Sequence, residues 1–248
     1  MKLADLSYPE AAAILERGAL ALWPAGSTEA HGPHLPLATD VIIAEETCRR
    51  AVPALKEALG LDALILPPLT FTVTDYAGPF TGTVSVPSET TTAYVRDVLL
   101  GVAKQGFRAI CIVNAHLEPG HRFALRDAVK AARPTAACPL ALADPCDRRW
   151  VSTLTEEFQS GKCHAGQYES SLVMAARPDL VDELRRTSLP TVDIDLVGSM
   201  KSGLTNFSQM GADQAYFGTP QHATPEEGDT SYQKLVKMVV TMTREALA

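Results

Sequence analysis

The sequence predicts an α/β protein with a mainly parallel central sheet. Three observations carry that prediction. Four short apolar runs, Ala19–Pro24, Ala63–Leu66, Arg108–Asn114 and Leu140–Ala143, alternate with segments of helical period. Turn residues close the first two runs, as expected for buried parallel strands. Dense His/acid clusters follow two runs directly, where open α/β sheets bind ligands, outside the carboxyl ends of the strands.

Tyr8 to Arg17 reads as a short helix running into Gly18, ahead of the first strand. From Val41 to Ala58, apolar residues recur at Val41, Ala44, Cys48, Ala51 and Leu55, the spacing of a helix. The second strand stops at Pro67-Pro68. The irregular stretch Thr70 to Pro87 is too long for a simple connection, and such loops are usually functional. Ser88 is the expected N-cap of a helix ending near Lys104 and Gly106. A helix from Arg122 to Ala132 follows the third strand and stops at Pro134. Residues 144–161 form a lid or surface excursion. Ala165 to Ala176 is helical, residues 184–227 are weakly periodic, and Asp229 to Leu247 is an amphipathic helix. No internal repeat or composition break appears, so residues 1–248 are expected to form one domain.

The chain has 248 residues, 46% hydrophobic and 21% charged. Its net charge of -7 and lack of basic runs exclude a nucleic-acid binder. No apolar stretch is long enough to span a membrane. The N-terminus lacks a signal-peptide pattern, and the cysteines are odd in number and scattered, with no CxxC. Free thiols in a cytoplasmic protein are expected.

Five of six histidines lie in three short segments: His31 and His34, His116 and His121, and His164. Each segment carries carboxylates: Glu29 and Asp40, Glu118, and Glu169. This mixture suits zinc, manganese or iron(II) better than magnesium or calcium. There are too many ligands for one ion; two ions sharing a carboxylate would use them. Such a pair generates hydroxide near neutral pH and polarises a carbonyl. Cys163 neighbours His164, but nothing in the sequence depresses its pKa toward a thiolate nucleophile.

These residues also carry a resemblance. Glu29-x-His31-Gly32-x-His34-Leu35-Pro36 with Thr39-Asp40 resembles the first signature of the creatininase (creatinine amidohydrolase) family. Phe80-Thr81-Gly82-Thr83, Val113-Asn114-Ala115-His116, His164-Ala165-Gly166-x-x-Glu169 and Gly218-x-Pro220-x-x-Ala223-Thr224 resemble its later segments, in the same order. The resemblance implies a three-layer α/β/α sandwich and a homo-oligomer, a hexamer in the family. It implies a metal shell of Glu29, His31, Asp40, His116 and Glu118, with Asp40 bridging two ions. It places His164 near the reacting amide and Glu169 beside the metals. Ala115, Pro119 and Gln167 depart from the family pattern and bear on the substrate.

The expected function is hydrolysis of an amide-type C–N bond in a small, polar, non-peptide molecule, cyclic or open. A metal-bridging hydroxide attacks, and His164 or Glu169 passes a proton to the leaving nitrogen. Glu118 is a ligand or a general base. Asp75, Tyr76, His121 and Gln167 are candidate substrate contacts, and His34 a group that orients a ligand. Two alternatives keep the cluster but change its use: ring opening at a C–C bond of a cyclic ketone, or isomerisation. A third is a metal-binding structural or sensing protein.

Overall fold

The computed structural model describes residues 1–248. The chain opens with a 3-10 turn, then α1 (Tyr8–Glu16), β1 (Ala19–Ala25), α2 (Thr39–Leu59), β2 (Asp62–Ile65), α3 (Ser88–Ala103), β3 (Ala109–Asn114), α4 (Pro119–Ala132) and β4 (Leu140–Ala143). The short helices α5 (Arg148–Val151) and α6 (Glu156–Ser160) precede α7 (Gln167–Ala176). Two more, α8 (Glu183–Ser188) and α9 (Leu196–Lys201), lead to the long terminal α10 (Pro225–Leu247).

All four strands pair parallel, in the order β2-β1-β3-β4. The two central strands are buried along their whole length. Alternation along them divides the core. Leu20, Leu22, Cys111 and Val113 face one way and pack with Leu55 of α2, Leu172 of α7 and Val239 of α10. Ala21, Trp23, Ile110 and Ile112 face the other way and pack with Leu99 of α3 and Val129 of α4. The result is the three-layer α/β/α arrangement. No helix is long and apolar enough to cross a membrane.

The strands fall within a residue or so of their expected places; five helix starts do not, among them α7, which begins at Gln167 rather than Ala165. α2 begins at Thr39, so Asp40 lies in its first turn. α4 begins at Pro119, whose fixed φ suits a first helical position, and this makes Glu118 the N-cap. Ser88 is itself helical, with Pro87 at the cap; the expected Ser88 cap is therefore incorrect. α10 starts at Pro225, capped by the Thr224 side chain, which accepts from Glu227 N–H.

Candidate metal centre

The turn from β1 into α2 supplies three site residues. Gly26 makes it possible. A Cβ there would sit 2.6 Å from Val41 N and 2.7 Å from Asp40 C, so only glycine lets the head of α2 approach the end of β1. Asp40 is thereby set against Glu29 and His31, and all three are buried. His31 Nδ1–H donates to the carbonyl of Glu29 at 3.2 Å, which leaves Nε2 unprotonated in the neutral ring and aimed at the carboxylates. His31 Nε2 lies 3.3 Å from Asp40 Oδ1, 3.5 Å from Glu169 Oε2 and 3.6 Å from Glu29 Oε1.

The end of β3 supplies the second group. His116 Nε2–H donates to the carbonyl of Val73 at 2.9 Å, so Nδ1 faces inward. Nδ1 lies 2.9 Å from Asp40 Oδ2 and 3.4 Å from Glu29 Oε1. Asn114 fixes this turn: its amide donates to the carbonyl of His116 at 2.9 Å and its oxygen accepts from His116 N–H at 3.0 Å. Glu118 accepts from the N–H groups of Asp75 and Tyr76 at 3.0 and 3.2 Å. Thr74 Oγ1 donates to Glu29 Oε2. The long loop after β2 therefore buttresses the cluster, through Val73, Thr74 and two backbone N–H groups.

The third group stands at the start of α7. Ala165 adopts a left-handed φ of 48°, rare for a residue with a Cβ. That turn lets Ala165 N–H donate to Glu169 Oε2 at 2.7 Å. His164 Nε2–H donates to the carbonyl of Ala30 at 3.0 Å, and its Nδ1 lies 3.8 Å from Glu29 Oε1. The carboxylate of Glu157 holds the segment. It accepts from Gln167 N–H at 3.0 Å, Tyr168 N–H at 2.7 Å and Thr219 N–H at 2.8 Å.

Charge in this cluster is unusual. Burial pushes Glu29 up to about 7, Asp40 adding to it against the pull of His116. Burial likewise takes Glu169 to about 8. Burial alone would disfavour charge on His31 and His116, yet the carboxylates hold both up to about 10. Asp40, also penalised by burial, is held well below the usual carboxylate range by His31 and His116. His164 is pushed well below its ordinary value, chiefly by burial and then by His31. It is therefore neutral at physiological pH, with an unprotonated Nδ1 on the cavity side.

The donor set fits divalent cations. His31 Nε2 and Asp40 Oδ2 are buried without a well-aligned hydrogen bond, their polar neighbours being partners within the site, Asp40 Oδ1 at 3.3 Å and His116 Nδ1 at 2.9 Å respectively. Such orphaned atoms are costly unless something binds them. Donor atoms of Glu29, His116 and Glu118 form one close group, and those of His31, Asp40 and Glu169 another. A third combination, Glu29 with His31 and His164, shares Glu29 with the first group and His31 with the second.

A cavity of about 290 Å³ opens over the cluster and is lined by Glu29, Asp40, His116, Glu118, His164 and Glu169 at its base. Tyr76 lines it as well; three other expected contacts do not. His121 is fully buried, with Nδ1 2.7 Å from Thr72 Oγ1 and Nε2 2.9 Å from Asn114 Oδ1. It props the β3 turn rather than touching substrate. Asp75 is exposed and accepts from Ser85 Oγ at 2.6 Å. Gln167 donates to Glu227 and accepts from Thr219, so it ties α7 to α10. His34 bonds Ser170 Oγ at 2.9 Å, behind the cluster. Burial drives the Cys163 thiol well above its ordinary value, so it is no thiolate. Trp150 and Tyr168 belong to the core.

Sequence reading missed Thr74, Asn114 and Glu157. Asn114 lies inside a quoted motif and Thr74 inside the flagged loop, so a signal existed for both. Glu157 lies in a polar stretch with no pattern. Its tell is indirect: Gly166 and Gly218, where a Cβ would crowd its carboxylate.

An α/β/α fold with a buried carboxylate–histidine cluster at its strand ends defines an α/β protein with a candidate metal centre. The chain belongs to the creatininase family: the family model described as creatinine amidohydrolase matches residues 4–243. A mycofactocin precursor peptide peptidase of Mycolicibacterium smegmatis is 30% identical over 220 residues, covering 88% of this chain and 81% of that one. A creatinine amidohydrolase of Pseudomonas putida is 29% identical over 194 residues, 72% of each chain. A solved structure designated creatininase Mn matches with a TM-score of 0.73 at 21% identity, over 98% of this chain and 97% of that one, which shows a shared fold.

Proposed function

We propose that the protein is a metal-dependent hydrolase that cleaves an amide-type C–N bond using two divalent ions. One observation carries this reading: the two oxygens of buried Asp40 face different histidines, His31 and His116. Glu29, His116, Glu118 and Asp40 would hold one ion, and His31, Glu169 and Asp40 the other. Zinc is the first expectation; manganese and iron(II) suit the same donors. Bound there, the ions supply an activated water at neutral pH and polarise the amide carbonyl.

The chain's own residues do the rest. Neutral His164 offers Nδ1 as a proton acceptor and can pass that proton to the leaving nitrogen. Its ring is held by Ala30 and by Phe207, whose centroid is 4.4 Å away. Glu169, bonded to Ala165 and close to His31, reads as a metal holder more than a proton carrier. The peptidase and amidohydrolase among the relatives support C–N cleavage. Peptide amides therefore belong in the substrate class, wider than the small polar non-peptide first expected. Self-association into a homo-oligomer, implied by the family resemblance, is part of the same proposal.

The test is to strip the protein with a chelator, reload it with zinc or manganese, and measure metal content and turnover on amides, imides and short peptides. Solvent ¹⁸O should enter the new carboxylate. Metal-loaded protein that turns over none of these amides removes the reading.

A further inference from the structure

The cavity walls differ sharply from its base. Leu196, Val197 and Met200, from one side of α9, line it with Phe207, Phe217 and Leu117. Val197 is about half exposed and marks the opening. Phe207 and Phe217 pack edge to face, 5.4 Å between centroids, and also against His164. The aromatic wall thus reaches to the reacting end of the site.

The charges of the lining are all at the base, and no lysine or arginine is among the lining residues. Lys162 sits beside two of them, but its ammonium pairs with Asp193. Arg122, from α4, is engaged by Asp144 at 3.0 Å. The four carboxylates Glu29, Asp40, Glu118 and Glu169 would be matched in charge by two divalent ions. An anionic group on the substrate would then meet no counter-charge, and burying it unpaired is expensive. An apolar group would meet a wall that removes it from water.

We infer that this site takes neutral amides bearing a bulky apolar group, aliphatic or aromatic, next to the scissile carbonyl, and rejects substrates with a carboxylate there. The inference rests on the metal-hydrolase reading. Metal-chelating hydroxamates separate the two, because their binding needs no turnover. In calorimetry with the zinc-loaded protein, acetohydroxamate reports the metals alone. Butyro- and hexanohydroxamate should bind progressively more tightly, by up to about fourfold per added methylene. Succinic monohydroxamate, which carries a carboxylate, should bind at least about tenfold more weakly than butyrohydroxamate. Met200→Glu and Val197→Glu should each cut the ratio of hexano- to acetohydroxamate affinity by about tenfold.

Acetohydroxamate binding with a flat chain-length series, or preferred succinic monohydroxamate, overturns the apolar pocket and leaves the metal reading standing. Failure of every hydroxamate to bind the zinc-loaded protein overturns both.

Discussion

Asp40 Oδ2 lies 2.9 Å from His116 Nδ1, joining the head of α2 to the end of β3. The other oxygen faces His31. Asp40→Asn keeps the shape but removes the charge shared by both histidines. The expected outcome is loss of both ions from purified protein by elemental analysis. Activity should fall by more than about a hundredfold, since even outer partners of ligands cost 10–100-fold. Full metal content and turnover in this variant would contradict the site.

Gly26→Ala tests how that aspartate is placed. The new methyl meets the backbone of residues 40 and 41, which cannot move aside as a flexible side chain would. A loss of about 1–3 kcal/mol in urea unfolding is expected. Metal affinity should weaken in parallel. An unchanged midpoint would show that the turn has slack.

His121→Phe separates a propping role from substrate contact. It deletes the bonds to Thr72 and Asn114 without touching the cavity. Metal affinity should drop about 10–100-fold, while KM of the metal-saturated enzyme stays near the native value. A large rise in KM alone would return His121 to the substrate.

Gln167→Glu places a carboxylate beside Glu227 and near Glu157, which already caps α7. It should lower stability by about 1–2 kcal/mol through unpaired, half-buried charge. The ranking of substrates should stay the same. A changed ranking at unchanged stability would put Gln167 in the specificity machinery.

The pH dependence of stability should reverse with metal. Glu29 and Glu169, at about 7 and 8, and His31 and His116, at about 10, bind protons more tightly folded than unfolded. The stability this gives is complete below the ordinary values of 4.5 and 6.5. It is lost as pH rises through the folded ones. Asp40, held low, behaves oppositely and loses its contribution only in strong acid. Chelator-stripped protein should therefore lose at least about 2 kcal/mol between pH 6 and pH 10. Zinc-loaded protein should gain over the lower part of that range, because bound ligands must shed protons. Parallel urea curves for the two forms would refute this.

Much of the fold was readable because its signals are local. Continuous apolar runs fix β1 and β3, and period and punctuation fix most of α2, α3 and α10. The site was readable as residue types: Glu29, His31, Asp40, His116 and Glu169 do converge. What local pattern did not show was which neighbours occupy each side chain. His121 and Gln167 look available in the chain, yet Thr72, Thr219 and Glu227 engage them from distant segments, and Asn114 engages His121 from the end of the preceding strand. The apolar wall of α9 was hidden for the same reason. Six residues in a weakly periodic stretch carry no helical signal, and packing across the cavity gives them their role.

The cysteines have a practical consequence. Cys48, Cys111 and Cys163 are buried, whereas Cys138 and Cys146 are partly exposed. Burial pushes the Cys111 thiol up to about 11. An alkylating reagent should reach Cys138 early, and Cys111 only when the centre of the sheet opens. The native chain thus carries its own labelling clock. Alkylation rates at each position would rank the opening free energies of the edge, the cavity wall and the sheet, with no foreign probe introduced.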